Sequence, residues 1–179
     1  MKILIDARLY GLENAGLGRY VMNLISELAK LDNKNSYLIL LRNKYFNKLK
    51  LPNNWQKIKA DFRHYSWEEQ IKLPILIKKL NPDLVHFPHF NVPLFCPKPY
   101  VVTIHDLLMH KQKGLNTTTL PAWEYGLKRL AYRVVFDCAV KKSVKIITPS
   151  NTVKQELIAR YQLNSEKVSV TYEGVDING

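Results

Sequence analysis

Cysteine, glycine and acidic side chains are all sparse in this chain, and each scarcity closes off a class of protein. The two cysteines, Cys96 and Cys138, have neither a paired spacing nor a neighbouring histidine cluster. A disulfide framework and a structural zinc site are therefore excluded, and both thiols read as packing residues. No apolar run approaches a membrane span, and the three apolar residues between Lys2 and Asp6 are too few for a signal peptide's core. The expectation is a soluble, cytoplasmic protein. The serine hydrolase elbow, the Walker loop and metal-ligand spacings are also missing, which removes those enzyme classes.

Acids number only 15 against 27 lysines and arginines, a net charge of +12. The excess is uneven. Between Arg42 and Lys79 ten basic residues face three acids, Asp61, Glu68 and Glu69, and between Met109 and Lys145 eight face Glu124 and Asp137. Such a balance suits an anionic partner such as a membrane surface, a phosphorylated lipid or a nucleic acid. A solvated basic face is the bland alternative, and charge alone does not choose.

What is plentiful is apolar surface: 46% of 179 residues, enough for one substantial core and a single domain. The apolar segments alternate in type. Strands are predicted at Lys2 to Ala7, Tyr37 to Arg42, Lys57 to His64, Leu84 to Phe87, Tyr100 to Ile104, Lys145 to Thr148 and Val168 to Tyr172. Helices are predicted up to Leu31, over Trp67 to Leu80, Ala122 to Lys142 and Asn151 to Tyr161, with Pro74 expected to interrupt or bend its helix. Asn91 to Pro99 reads as an ordered loop and Lys111 to Thr119 as a mobile one. In the long helix, Leu127, Leu130, Ala131, Val134, Cys138 and Ala139 form the expected inward face. Strands separated by helices imply an α/β fold: a Rossmann-like, doubly wound, mostly parallel sheet with helices on both faces.

In such a sheet the residues just after the strands share one end, where ligands bind. After the first strand come Arg8, Tyr10 and Asn14, then Gly16-Leu17-Gly18 at the start of an amphipathic helix. Unpaired N–H groups and the helix dipole make that start a cradle for phosphate or carboxylate, with a plain surface loop as the alternative. Later strands end in Pro88-His89-Phe90-Asn91, in His105-Asp106 and in Thr148-Pro149-Ser150-Asn151. His105 suits a sugar hydroxyl or phosphate; a structurally bonded His105 with Asp106 as a cap is the competing reading, as N-capping is for Ser150.

Five segments in order carry a resemblance: Lys2 to Arg8 with Gly16 to Tyr20, Pro82 to Pro88, Val101 to Leu107, Ile146 to Thr152, and Val170 to Asp176. Together they make the chain similar to the N-terminal half of retaining glycosyltransferases of family 4, which have the GT-B fold. The resemblance implies that Gly16, Leu17, Gly18 and Ser150 approach the donor's diphosphate or sugar, and that His105 is catalytic, contacting the transferred sugar. Tyr10, Asn14, His89 and Asp106 would line the acceptor side. A nucleotide-diphosphate sugar is the implied substrate, with no cofactor and no essential metal. Implied partners are a C-terminal donor-binding domain, in cis or in trans, and an acceptor of glycan or lipid-linked type. An anionic membrane surface is a further one, placing the enzyme peripherally at its inner face, and no nucleic acid is expected. The division implied is residues 1–174 as the domain and 175–179 as the start of the interdomain linker, with the donor-binding domain absent and the chain alone inactive. Two rivals stand beside this reading. An NAD(P)-binding Rossmann protein is disfavoured by Val21 in place of a third glycine and by Arg42 where an acid would follow the second strand. A noncatalytic basic binding domain rests on charge alone.

Overall fold

The computed structural model describes residues 1–107 and 122–174; the loop expected at Lys111 to Thr119 and the linker expected at 175–179 lie outside the described residues. Seven strands form one sheet: β1 (Lys2–Asp6), β2 (Ser36–Leu41), β3 (Trp55–Lys59), β4 (Leu84–Phe87), β5 (Tyr100–Thr103), β6 (Lys145–Thr148) and β7 (Val168–Val170). Among the described residues five α-helices accompany them: α1 (Ala15–Leu31), α2 (Asn43–Phe46), α3 (Trp67–Leu80), α4 (Ala122–Lys142) and α5 (Asn151–Tyr161). The strand order is β3-β2-β1-β4-β5-β6-β7, and every pairing is parallel.

Both faces of the sheet are covered, which is why β2 reads as an unbroken apolar run. Leu38 and Leu40 enter one cluster, with Leu73 and Ile77 of α3, Phe136 and Val140 of α4 and Leu157 of α5. Tyr37, Ile39 and Leu41 enter the other, with Val21 and Ile25 of α1. Alternate residues serve opposite layers, as a two-residue period requires. The chain is therefore doubly wound, as its alternating pattern implied.

The structure changes the local picture in three places. Pro74 does not interrupt α3, which runs unbroken from Trp67 to Leu80. The buried Leu73 and Ile77 anchor the helix on either side of the lost backbone bond. The expected inward face of α4 is mostly exposed: Leu127 is 63%, Leu130 59% and Val134 47% accessible, and Ala131 is exposed too. Ala139 is buried as expected, but Tyr132, Phe136 and Val140 pack inward beside it in place of the aliphatic row. The aromatic rings decide this, because Phe136 meets Phe90 at 5.3 Å and Tyr132 at 5.6 Å, and large rings bury more area than the aliphatic row. The short α2 lay outside the sequence pattern, being a single turn of polar and aromatic residues.

Candidate active site

The connections turn back at β1: the chain passes to β2 and β3 on one side, then crosses to β4 on the other. A crevice opens outside the carboxyl ends of strands at such a switch. Its floor is ionic. Arg8, 1% exposed, donates from Nε to Asp6 Oδ1 at 2.7 Å, and from Nη2 to Asp6 Oδ2 and to Glu69 Oε1, both at 2.6 Å. Glu69 Oε2 accepts from Asn91 Nδ2 at 2.7 Å and from the Tyr65 backbone N–H at 2.8 Å, and the Phe62 ring lies 4.6 Å from the guanidinium carbon. One buried cation thus ties the end of β1 to α3 and, through Glu69, to the loop after β4.

Burial alone disfavours the charged Arg8 guanidinium, but Asp6 and then Glu69 outweigh that and raise it above its ordinary value. Burial likewise pushes the Asp6 and Glu69 carboxyls up, and their partners win: Arg8 brings Asp6 below its ordinary value, and His64, Arg8 and Asn91 do the same for Glu69.

Above this floor stand three histidines. His86 is buried in β4 with Nε2 2.9 Å from Thr103 Oγ1, and burial, then the charge of His105, pushes it down to about 4. His89 sits 2.6 Å from the Tyr65 hydroxyl, and burial again, with His105 and His64, takes it down to about 3. His105 differs. Its Nε2 is 3.0 Å from the Pro88 carbonyl, its Nδ1 is 3.1 Å from Glu173 Oε1, and the Tyr20 ring meets its edge at 4.7 Å. Both ring nitrogens are thereby engaged within the chain.

The glycine pair divides into two roles. At Gly16 a Cβ would meet no atom within 4 Å, so the first turn of α1 is open there. At Gly18 it would lie 1.9 Å from the Gly11 carbonyl oxygen, so this glycine is required by a loop laid against the helix. Gly11 itself has φ +128°, which only glycine adopts without strain. Leu17 is half-buried between them. Gly16 and Tyr20 occupy successive turns of α1, and Tyr20 reaches His105, so the helix start and the histidine belong to one neighbourhood.

The remaining candidates scatter. Tyr10 packs edge-on against Tyr45 at 5.2 Å, and Asn14 Nδ2 donates to the Leu9 carbonyl, holding its own loop. Ser150 Oγ accepts from the Val153 N–H and caps α5, while Asp106 is exposed at the end of the described segment. Sequence reasoning passed over Glu69 and Glu173. The spacing Ser66-x-x-Glu69 signals a capping box, and Ser66 does accept from the Glu69 N–H, but the carboxylate is diverted to Arg8. No local pattern announces Glu173, which meets His105 across 68 positions.

A parallel sheet in this order, with polar side chains gathered at its carboxyl edge, defines a Rossmann-like domain. Its architecture is that of one half of a GT-B fold. Residues 14–178 match the pattern of Glycosyltransferase Family 4, and the chain belongs to that family. It is 28% identical over 112 residues to the O-antigen chain mannosyltransferase RfbU of Salmonella typhimurium strain LT2. That match covers 63% of this chain and 28% of the relative's length. Among solved structures, UDP-N-acetylglucosamine 2-epimerase superposes with a TM-score of 0.57 at 10% identity, over 96% of this chain and 48% of the other. The wall teichoic acid polymerase TagF superposes at 0.52 and 12% identity, over 93% and 37%. These two likenesses concern the fold.

Because the folded Asp6 and Glu69 carboxyls lie below their ordinary values, they contribute stability that is present above the ordinary carboxylate range and lost as pH falls through the depressed values. Urea unfolding of Glu69→Gln is expected to show a loss of about 3 kcal/mol at pH 7. The variant should also have a shallower decline below about pH 4 than the wild type. Equal stabilities at pH 7 would contradict the ionic floor.

Proposed function

We propose that this chain supplies one wall of a cleft in which a sugar passes from a nucleoside-diphosphate donor to an acceptor hydroxyl, with retention at the anomeric carbon and without an essential metal. The observation that carries the reading is the meeting of the open Gly16 turn, Tyr20 and His105 at the sheet's carboxyl edge in a family 4 chain. Transfer demands that charge developing on the leaving diphosphate be met by fixed donors, and that the acceptor hydroxyl be held at the reacting carbon. The α1 start offers N–H groups, His105 offers an imidazole fixed in position, and His89, kept neutral, offers a polar group beside the loop after β4. One wall cannot exclude water. A second, donor-binding domain completes the site; the matching stretch, 28% of the relative's length, leaves room in that relative for one. Mannose is the first sugar to test, since the relative is a mannosyltransferase.

The acceptor side favours a membrane. Trp67, Ile71 and Ile75 recur every fourth residue on the outer face of α3 at 87%, 61% and 63% exposure, and Phe95 is 80% exposed. The Leu94 segment joins α3 to α4: its N–H meets Gln70 Oε1 and its carbonyl accepts from Lys142 Nζ. Leu127, Leu130 and Val134 of α4 are exposed as well. The same two helices carry Lys72, Lys78 and Lys79 on α3 and Lys128, Arg129 and Arg133 on α4. Apolar anchors among cations fit an anionic bilayer surface. Among the described residues no helix is long and apolar enough to cross a membrane.

In a sugar-transfer assay on protein carrying both domains, His105→Ala is expected to lower kcat about 100-fold, while residues 1–179 alone show no turnover. Robust turnover by the isolated chain would sink the two-domain reading. In vesicle co-sedimentation, the chain should pellet with anionic and not with neutral lipid, and Ile71→Glu with Ile75→Glu should abolish pelleting. Identical behaviour on both lipids would remove the membrane surface.

A further inference from the structure

The segment after β7 crosses the sheet's carboxyl edge and ends on His105. Thr171 N–H donates to the Thr148 carbonyl at 2.9 Å, the Tyr172 hydroxyl accepts from Asn151 Nδ2 at 2.8 Å, and Glu173 Oε1 lies 3.1 Å from His105 Nδ1. Because β6 lies between β5 and β7, this path must pass over the end of a strand to reach β5's histidine.

A carbonyl oxygen only accepts, so the contact with Pro88 puts a proton on His105 Nε2. An ionised carboxylate also only accepts, so the contact with Glu173 calls for a proton on Nδ1 as well. Both acceptors are satisfied together by the doubly protonated ring. We propose that Glu173 is a positioning residue for His105, holding the ring oriented and positively charged at the end of β5, next to the first turns of α1.

The surroundings agree. The ring is pinned edge-on by Tyr20, whose hydroxyl is 3.2 Å from Thr103 Oγ1, the same atom that meets His86 Nε2. Asp106 follows His105 in the chain and is exposed; Tyr20, His86 and His89 are also near, and burial disfavours the charged form of each of these three. Of the three histidines, His105 alone meets a carboxylate. Glu173 is half exposed, at 50% of its side chain, against 16% for His105. The carboxylate is therefore open to solvent on one side and meets the imidazole on the other. The importance of this charge for transfer rests on the sugar-diphosphate reading; the pair itself does not.

Ring nitrogen NMR on the 179-residue protein at pH 7 separates the two. Wild-type His105 is expected to show N–H protons at both nitrogens. In Glu173→Gln the doubly protonated fraction should fall about fivefold or more, with Nε2–H retained toward Pro88. Glu173→Asp should keep most of it. Tyr172→Phe, which removes the segment's other side-chain tether and leaves the carboxylate, should keep it too. An unchanged fraction in Glu173→Gln, or an equal loss in Tyr172→Phe, overturns the proposal. Titration of the wild type with GDP-mannose and UDP-glucose then stands apart: a doubly protonated ring with no binding of either supports the pair and counts against the sugar-transfer reading.

Discussion

A guanidinium buried to 1% exposure at the end of β1 must be neutralised where it lies, and Asp6 and Glu69 are the carboxylates that reach it. Much of the site's geometry follows from that requirement. Asp6 is the last residue of β1, so Arg8 is turned back onto its own strand end. Glu69 is in the first turn of α3, so the helix is drawn up to the same point. Its second oxygen then binds Asn91 and the Tyr65 N–H, and Tyr65 in turn meets His89. Buried ion pairs are not efficient stabilisers compared with apolar packing, and their better attested use is to fix one arrangement among several. Here the arrangement fixed is the crevice at β1 and β4.

On the other side of the crevice charge is distributed by environment. His86 and His89 are desolvated and stay neutral, whereas His105 is edged by Tyr20 and reached by Glu173. Three residues of one type thus acquire different surroundings: a core bond to Thr103, a neutral group beside Tyr65, and a ring held between the Pro88 carbonyl and Glu173. The separation of roles comes from burial and one long-range carboxylate, the usual means by which a protein sets like groups apart.

The layered fold was legible because parallel strands covered on both faces leave long apolar runs, and β4, β6, α3, α4 and α5 fall where their patterns begin and end. The face of α4 was misread because two stripes, one aliphatic and one aromatic, satisfy the same period, and only the neighbouring rings of Phe90 and Tyr161 choose between them. The crevice was legible as a place, since strand ends share one edge. Its internal wiring was not. Glu69 looked like a minor acid in a basic stretch, and Glu173 is 68 residues from its partner, so neither bond has a local signature. Gly18 shows the same limit: the sequence does not announce that the Gly11 backbone lies where a side chain at this position would go.

The central claim is spatial: a nucleoside-diphosphate sugar meets this domain at the carboxyl edge of β1, β4 and β5. Backbone amide NMR of the 15N-labelled chain titrated with GDP-mannose measures this directly. Shifts concentrated at Gly16, Tyr20, His89, His105 and Glu173, with the opposite end of the sheet around Lys2, Asp83 and Pro99 unmoved, are the predicted result. Shifts centred elsewhere, or spread evenly over the basic surface, would contradict it.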